Sequence, residues 1–357
     1  MFAERIHALW DSLYPPCGDP EHRALQGKTD AHCHPMAAPR GLLAAAAASA
    51  RPARAQPSAE WPTQPVRYIN LYAPGGSTDI LSRIWCHRMS ALTGQQFVIE
   101  ARTGAGGTVG QAAIARAAPD GYTIGLGSIA TLAIGPSLYP VLGYDPARDF
   151  TMISGLWRLP NLLIINNALP ARSVPELIAL LKREPGRYAF GSGGSGTTVH
   201  LAGEMFKQQA GVEMVHVPFR GEAAAMVDLL AGRIHMVFGN IPSAIAQVRD
   251  GSARPLAVTG LERSPVAPEV PTLAETLPGF DITSWNGVVG PAGLPPAVLA
   301  RLMALTAQAL ADPALMHSYK ENGAVPWSTT PEEFASFRAA EERRFAEIIR
   351  ISGAKAD

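Results

Sequence analysis

The chain has 357 residues, 47% of them apolar and 17% charged, with a mean hydropathy of +0.07. Those values exclude a disordered tail and a membrane-embedded bundle, and at roughly 100 to 200 residues per domain the length allows about two domains. Thirty basic residues balance thirty acidic ones, so no overall field draws nucleic acid or anionic lipid. Cys17, Cys33 and Cys86 include no CxxC pair and cannot build a disulfide framework.

The longest uncharged apolar run, Gly41 to Ala50, falls far short of the ~20 residues that span a bilayer. Met36 to Arg40 reads as a basic n-region, the alanine run as an h-region, and Ala53-Arg54-Ala55 as an A-x-A cleavage site. The expectation is a secretory signal over residues 36–55, preceded by an upstream extension over residues 1–35. Translation would start at Met36 and the mature chain near Gln56. Asp30-Ala31-His32-Cys33-His34-Pro35 resembles the strand-end H-x-H metal motif of amidohydrolases. No hydrophobic strand precedes it and no later partner has ligand spacing, which argues against a metal.

From Val66 onward, β-rich runs alternate with helical patterns. Val66 to Ala73 precedes a helix over Asp79 to Leu92, and Thr123 to Gly127 is a further strand. Ala189 to Gly191 precedes a helix over Thr198 to Ala210, and Met214 to Val217 precedes one over Glu222 to Ala231. This alternation predicts an α/β fold with a mainly parallel sheet. Ile80, Leu81, Ile84, Trp85, Met89 and Leu92 share one helix face, opposite Asp79, Arg83 and Arg88. Cys86, within this pattern, is expected to be a small buried hydrophobe. Thr330 as N-cap and Pro331 at the first position open a C-terminal helix to Ile351, with Phe334, Phe337, Phe345 and Ile348 inward. Its Arg338 to Arg344 charge run reads as a solvated face. Asn166 to Pro170 and Thr283 to Gly287 are candidate crossings between two lobes.

Two loops stand out. Pro74-Gly75-Gly76-Ser77-Thr78-Asp79 joins a strand to a helix start, where exposed backbone N–H groups and the positive helix end favour an anion. The alternative is an ordinary turn in which Ser77 only caps. Gly191 to Thr198 repeats the arrangement and matches G-x-G-x-x-G, but the next strand ends in Pro218-Phe219-Arg220 and not in the acid that would bind a ribose. Thr197 stands where a P-loop needs lysine. No G-x-S-x-G elbow, H-E-x-x-H or paired carboxylate set occurs. His87, His200, His216, His235 and His317 are scattered, and His200 alone lies one turn into a helix after a glycine loop. The pattern favours binding over chemistry, in a cleft where helix N-termini from two lobes meet.

Further segments carry a resemblance over Pro65 to Gly353. They are Gly104-Ala105-Gly106-Gly107; Ala118-Pro119-Asp120-Gly121-Tyr122-Thr123; Pro218 to Gly221 leading to Asp228-Leu229-Leu230-Ala231-Gly232; and Leu256 to Thr259. Glu269 to Glu275, Gly290 to Pro295, and Pro331 to Phe334 complete the set. In this order and spacing the chain resembles the Bug-type (TctC-like) extracytoplasmic solute receptors of tripartite tricarboxylate transporters.

The resemblance implies a type II periplasmic-binding-protein fold, with two α/β lobes around a ligand cleft. Lobe I would comprise residues 61–164 plus 286–357, and lobe II residues 165–285. It implies a periplasmic receptor for a small carboxylate or related polar metabolite, serving inner-membrane permease subunits, with no catalysis, cofactor, metal or nucleic acid and no membrane span of its own. Pro74, Gly75, Gly76, Ser77, Asp79, Ser128, Ala130 and Thr131 would bind from one side. Gly193, Ser195, Gly196, Thr197, His200, Phe219, Arg220 and Gly221 would face them, with Trp285 near the hinge. Arg220 stands where lysine or another residue is common in the family, and its guanidinium suits a dianion. His235 replaces the family's usual acid after Gly232. A sensor subunit presenting its ligand to a histidine kinase and an α/β enzyme are the alternatives.

Overall fold

Tyr68 and Ile69 in strand β1 (Val66–Asn70) have no solvent exposure, as expected of a parallel strand covered on both faces. In the computed structural model, which describes residues 61–355, β1 lies between β2 (Phe97–Ala101) and β3 (Thr123–Ser128), parallel to both. The upstream stretch, the signal, the A-x-A site, the H-x-H motif, Cys17 and Cys33 lie outside the described residues.

The organising element is β4 (Phe150–Asn166), a strand of 17 residues. From Phe150 to Pro160 it runs antiparallel to β9 (Thr283–Pro291), which pairs β3 on its other side. From Asn161 onward it is flanked by β7 (Met236–Asn240) and β8 (Ala253–Val258). Beyond β7, in parallel, come β5 (Ala189–Ser192) and β6 (Val215–Pro218). The short β10 (Val325–Pro326) pairs β4 at Trp157 and Arg158. One half-sheet therefore reads β2-β1-β3-β9-β4 and the other β8-β4-β7-β5-β6.

The change of half-sheet falls inside β4, between Pro160 and Asn161, where the expected crossing was Asn166 to Pro170. Those residues form the turn that ends β4, closed by Leu169 N–H donating to Asn166 O. The return passage is pinned beside the outward one, because Asn161 N donates to Thr259 Oγ1 (2.8 Å), which donates to Ile282 O (2.6 Å).

The helices in chain order are α1 (Ser77–Thr93), α2 (Thr108–Ala115), α3 (Gly135–Leu138), α4 (Val174–Arg183), α5 (Thr198–Ala210), α6 (Glu222–Leu230), α7 (Ile241–Arg249), α8 (Pro296–Leu310), α9 (Pro313–Glu321) and α10 (Pro331–Ser352). Periodicity placed α1, α5, α6 and α10 to within a turn. In α1, Leu81, Trp85, Cys86 and Met89 are buried, and Trp85 packs between Tyr68 and Phe97 at centroid separations of 5.5 and 5.9 Å. Burial also pushes the Cys86 thiol well above its ordinary pKa, so it is inert as a nucleophile.

Thr330 caps α10 in a reciprocal box with Glu333, and Phe334 and Phe345 are fully buried, with Phe337 and Ile348 packed at the edge. The charge run of α10 departs from expectation: Arg338 and Glu341 are buried. Arg338 Nη1 donates to Leu132 O (3.3 Å), and Glu341 accepts from Trp285 Nε1 (2.9 Å) and Arg344 Nη1 (3.3 Å). Arg344 also reaches the buried Asp281 (3.4 Å). Apolar periodicity could not reveal a helix whose charged side docks inward against paired charges.

Candidate ligand-binding site

The C-terminal ends of the parallel strands of both half-sheets open toward one place, the usual ligand position in open α/β sheets. Each strand is followed by a tight loop and a helix start. Gly76 and Ser77 begin α1, Gly107 precedes α2, Thr197 caps α5 by accepting from His200 N, Gly221 precedes α6, and Asn240 precedes α7. Several helix N-termini, whose first-turn N–H groups lack intrahelical acceptors and carry a partial positive charge, thus surround the same space.

Two adjoining cavities occupy it. The inner one, with an empty volume of about 440 Å³, is lined by Gly76, Ser77, Thr78, Ser128, Ile129, Ala130, Gly193, Thr197, Thr198, Val199, Glu222, Asn240, Ser284 and Asn286. The outer one, about 660 Å³, is lined by Gly104 to Gly107, Tyr139, Gly193, Gly194, Ser195 and Pro218 to Arg220. Tyr72 and Gly193 line both.

Loops of the two half-sheets touch across the space. A Cβ on Gly194 would stand 3.2 Å from the Gly106 Cα, and one on Gly106 would stand 2.3 Å from the Ser195 carbonyl oxygen. Both residues have positive φ, +125° and +60°, so glycine serves the backbone and the close approach together. Tyr139 Oη donates to Ser195 O (2.7 Å) and Tyr72 Oη to Gly106 O (3.1 Å). Ser77 Oγ lies 2.9 Å from Glu222 Oε2 and 2.9 Å from Ser243 Oγ.

Of the residues singled out from sequence, Gly76, Ser77, Ser128, Ala130, Gly193 and Thr197 line the inner cavity, and Gly193, Ser195, Phe219 and Arg220 the outer one. Arg220 is exposed at the rim. Pro74 and Gly75 are exposed on the loop before α1, outside both linings. Four expected residues have other work. Asp79 accepts from Gly75 N (3.0 Å) and Arg83 Nε (2.9 Å), which buries it on the loop side of α1. Thr131 donates to Gln111 Oε1 (2.7 Å) beneath the cavity floor. The Nδ1 of His200 accepts from Gly196 N (3.1 Å) while its ring stacks on His216 at 4.0 Å, so it shapes the glycine loop from behind. Trp285 is buried against Phe334, Phe337 and Trp327, bonded to Glu341, and lines neither cavity. Gly196 and Gly221 hold positive φ, and Cβ atoms there would meet Leu138 Cδ2 at 2.7 Å and the Ala73 backbone at 3.2 Å. His235 accepts from Ala189 N (3.0 Å), and burial together with the Arg187 guanidinium lowers its pKa.

Sequence reasoning missed Tyr72, Glu222, Asn240, Ser284 and Asn286. Asn240 carried a usable signal, an asparagine immediately before Ile241-Pro242. Glu222 is the most consequential. Its Oε1 accepts from Asn240 N, and its Oε2 accepts from Asn240 Nδ2 (3.1 Å) and Ser77 Oγ. Burial pushes this carboxyl above the usual carboxylate range, and the hydrogen bonds from Asn240, Ser243 and Ser77 oppose that shift without cancelling it. Among the described residues no group of His, Cys, Asp and Glu is placed to hold a metal ion.

Comparison with known proteins agrees with this geometry. Residues 81–353 match the model of the tripartite tricarboxylate transporter family receptor. BugT of Bordetella pertussis is 35% identical over 317 residues, covering 88% of this chain and 96% of that protein. The solved structure of Rpa4515 from R. palustris with adipate superposes with a TM-score of 0.81 at 34% identity, covering 83% of this chain and all of that one. The periplasmic binding protein BugD superposes with a TM-score of 0.80 at 31% identity, with 83% of this chain and 100% of that one covered. The half-sheets sharing β4 are therefore the two-lobed frame of a solute-binding protein, and the chain belongs to the tripartite tricarboxylate transporter receptor family, the Bug-type solute-binding proteins.

Proposed function

We propose that the protein is a periplasmic receptor that captures a small carboxylate-bearing metabolite in the cleft and hands it to a tripartite-type permease. The observation that supports this most directly is the meeting of glycine-bordered helix N-termini from both half-sheets around connected cavities. Such sites stabilise a carboxylate through backbone N–H groups without needing a cation. Gly76, Ser77, Ser128, Gly193, Thr197 and Ser195 are the proposed contacts, with Arg220 at the mouth; Pro74, Gly75, Gly196, Gly221, Asp79, Thr131, His200 and Trp285 shape the loops and hinge. Lobe I and lobe II are assigned to the two half-sheets, so that closure brings Ser77 to Glu222 and Tyr139 to Ser195. The family resemblance and the adipate held by Rpa4515 support the ligand class.

The test is native mass spectrometry of the chain from Gln56, followed by thermal-shift screening against small carboxylates and amino acids. Binding to the folded state adds RT ln(1 + [L]/Kd), about 2.7 kcal/mol at 100 Kd, which gives a clear shift. A selective shift with an unaltered acid is the expected result. Silence across the acids, or turnover of one of them, overturns the receptor reading. For the address, N-terminal sequencing of exported protein is expected to begin near Gln56, and a residue upstream of Met36 overturns that assignment.

A further inference from the structure

Ser77 sits between two oxygens that both call on its single hydrogen. Its Oγ lies 2.9 Å from Glu222 Oε2 and 2.9 Å from Ser243 Oγ, and Ser243 Oγ lies within donating distance of Asn240 O (3.0 Å). Ser77, Ser243 and Glu222 are each more than nine-tenths buried. A hydroxyl carries one hydrogen and an ionised carboxylate none. The chain from Glu222 through Ser77 and Ser243 to Asn240 O therefore has three links and, with Glu222 ionised, two hydrogens to fill them. However the hydroxyls turn, one link is left as two buried oxygens facing each other with no hydrogen between them, which is costly. A proton on Oε2 supplies the third hydrogen. Glu222 then donates to Ser77, Ser77 to Ser243, and Ser243 to Asn240 O. Oε1 still accepts from Asn240 N, and Oε2 keeps a lone pair for Asn240 Nδ2 (3.1 Å).

The surroundings favour the same state. Glu222 is the only charged residue among those lining the inner cavity, and burial raises its pKa. Of the elements packed against α6, β5 and β7 carry no titratable side chain, β4 only Arg158, and α7 only Arg249 in its last turn. Across the cleft, burial keeps Tyr72 neutral, and Asp79 is held by Gly75 N and Arg83 Nε. The other titratable groups of α1 begin more than a turn beyond Ser77, at Arg83. Arg220, just before α6, is exposed.

Resting on the receptor reading above, we infer that capture is proton-linked: as the jaws close on an anionic cargo, Glu222 takes up one proton from solvent, donates it to Ser77, and returns it to solvent on opening. Opening parts Ser77 from Glu222 and lets water serve the carboxylate, so the open form does not need the proton. Closure thus cancels the one negative charge in the cavity that the anion enters. The closed, loaded form binds one proton more than the open form, so affinity rises as pH falls.

The experiment is isothermal titration calorimetry with adipate and succinate as probes, from about pH 6 to pH 8, in paired buffers of different ionisation enthalpy, which counts the protons exchanged on binding. The wild type is expected to take up protons, more of them toward the acid end, and its Kd to weaken with rising pH by at most about tenfold per pH unit. In Glu222→Gln, which is neutral throughout, both effects are expected to vanish. The probe's own protonation is common to the two proteins and cancels in their difference. Binding without proton uptake, or uptake that persists in a folded Glu222→Gln, overturns the linkage and leaves the receptor reading intact. If that variant does not fold, infrared difference spectra of wild type carrying isotope-labelled glutamate decide: a protonated-carboxyl band that grows on binding supports the linkage, and its absence overturns it. If neither probe binds, the acid selected by the thermal screen takes their place. Failure of every acid there overturns the receptor reading itself, and the linkage with it.

Discussion

Ser77 and Glu222, 145 positions apart in the chain, lie with Oγ and Oε2 2.9 Å from each other at the first residues of α1 and α6. Each belongs to a helix carried by a different half-sheet, so this bond is a latch across the cleft. A hydrogen bond to a charged partner contributes roughly 1.5–3 kcal/mol. Ser77→Ala should therefore weaken ligand binding by about tenfold or more. Small-angle scattering should show a more open average shape before ligand is added. Unchanged affinity and shape would remove the latch.

Glu222 also sets a pH dependence. A carboxyl whose pKa is raised on folding binds more protons in the folded state. Its stabilising contribution is complete below the ordinary value of 4.5 and is lost as pH rises through the folded value. Tyr72, the other titratable group beside it, is held neutral across this window because burial raises its pKa further. In Glu222→Gln this titration is absent. The difference in Tm, variant minus wild type, should become more positive from about pH 4.5 to pH 8. Asp281, also raised by burial, is common to both proteins and cancels. A difference that is flat, or that falls with pH, would contradict the assignment.

Gly106 tests how closely the loops must approach. Alanine there would place Cβ 2.3 Å from the Ser195 oxygen and 2.7 Å from Tyr139 Oη, at a φ of +60°. The left-handed backbone alone costs roughly 1–2 kcal/mol for a residue with a Cβ, and the obstruction falls on backbone of the opposite loop. Gly106→Ala is expected to lower affinity more than stability, because the loops can part while each half-sheet stays folded. Calorimetry beside urea unfolding separates the two. A variant that unfolds early yet binds normally would show that the contact is structural alone.

The inward charges of α10 predict a large effect far from ligand. Glu341→Ala leaves the buried Trp285 N–H without its 2.9 Å acceptor and removes a partner of Arg344. Breaking such a buried pair on one side costs roughly 3–5 kcal/mol. Equilibrium urea unfolding should show it as a lower midpoint, and a loss under about 1 kcal/mol would mean that the network is replaceable by water.

Some of this was legible in the sequence for definite reasons. Glycine and proline punctuate strand-to-helix junctions, so Gly75-Gly76 and Gly191 to Gly196 announced loops with special backbone. Apolar period gave α1, α5 and α10. The missing parts depend on sheet order. Asn286 from β9, Asn240 from β7 and Tyr72 from the end of β1 meet only because β9 and β7 flank β4. Nothing local marks that meeting. Glu222 looked like an ordinary first-turn acid, and Glu341 like one more solvated charge, because burial of a carboxylate follows from distant packing.

β4 carries one further consequence. Neither half-sheet holds a full set of strands without it: the first needs Phe150 to Pro160 beside β9, and the second needs Asn161 to Asn166 between β7 and β8. The division that serves capture of a ligand is therefore not a division for folding. A cut between Pro160 and Asn161 would sever the one strand common to both half-sheets, so the jaws share a continuous axle. The register shifts of β4, near Met152 to Trp157 and at Leu163 to Ile164, lie on either side of the Pro160–Asn161 passage, so a change of angle between the jaws is expected to be carried by the twist of one continuous strand.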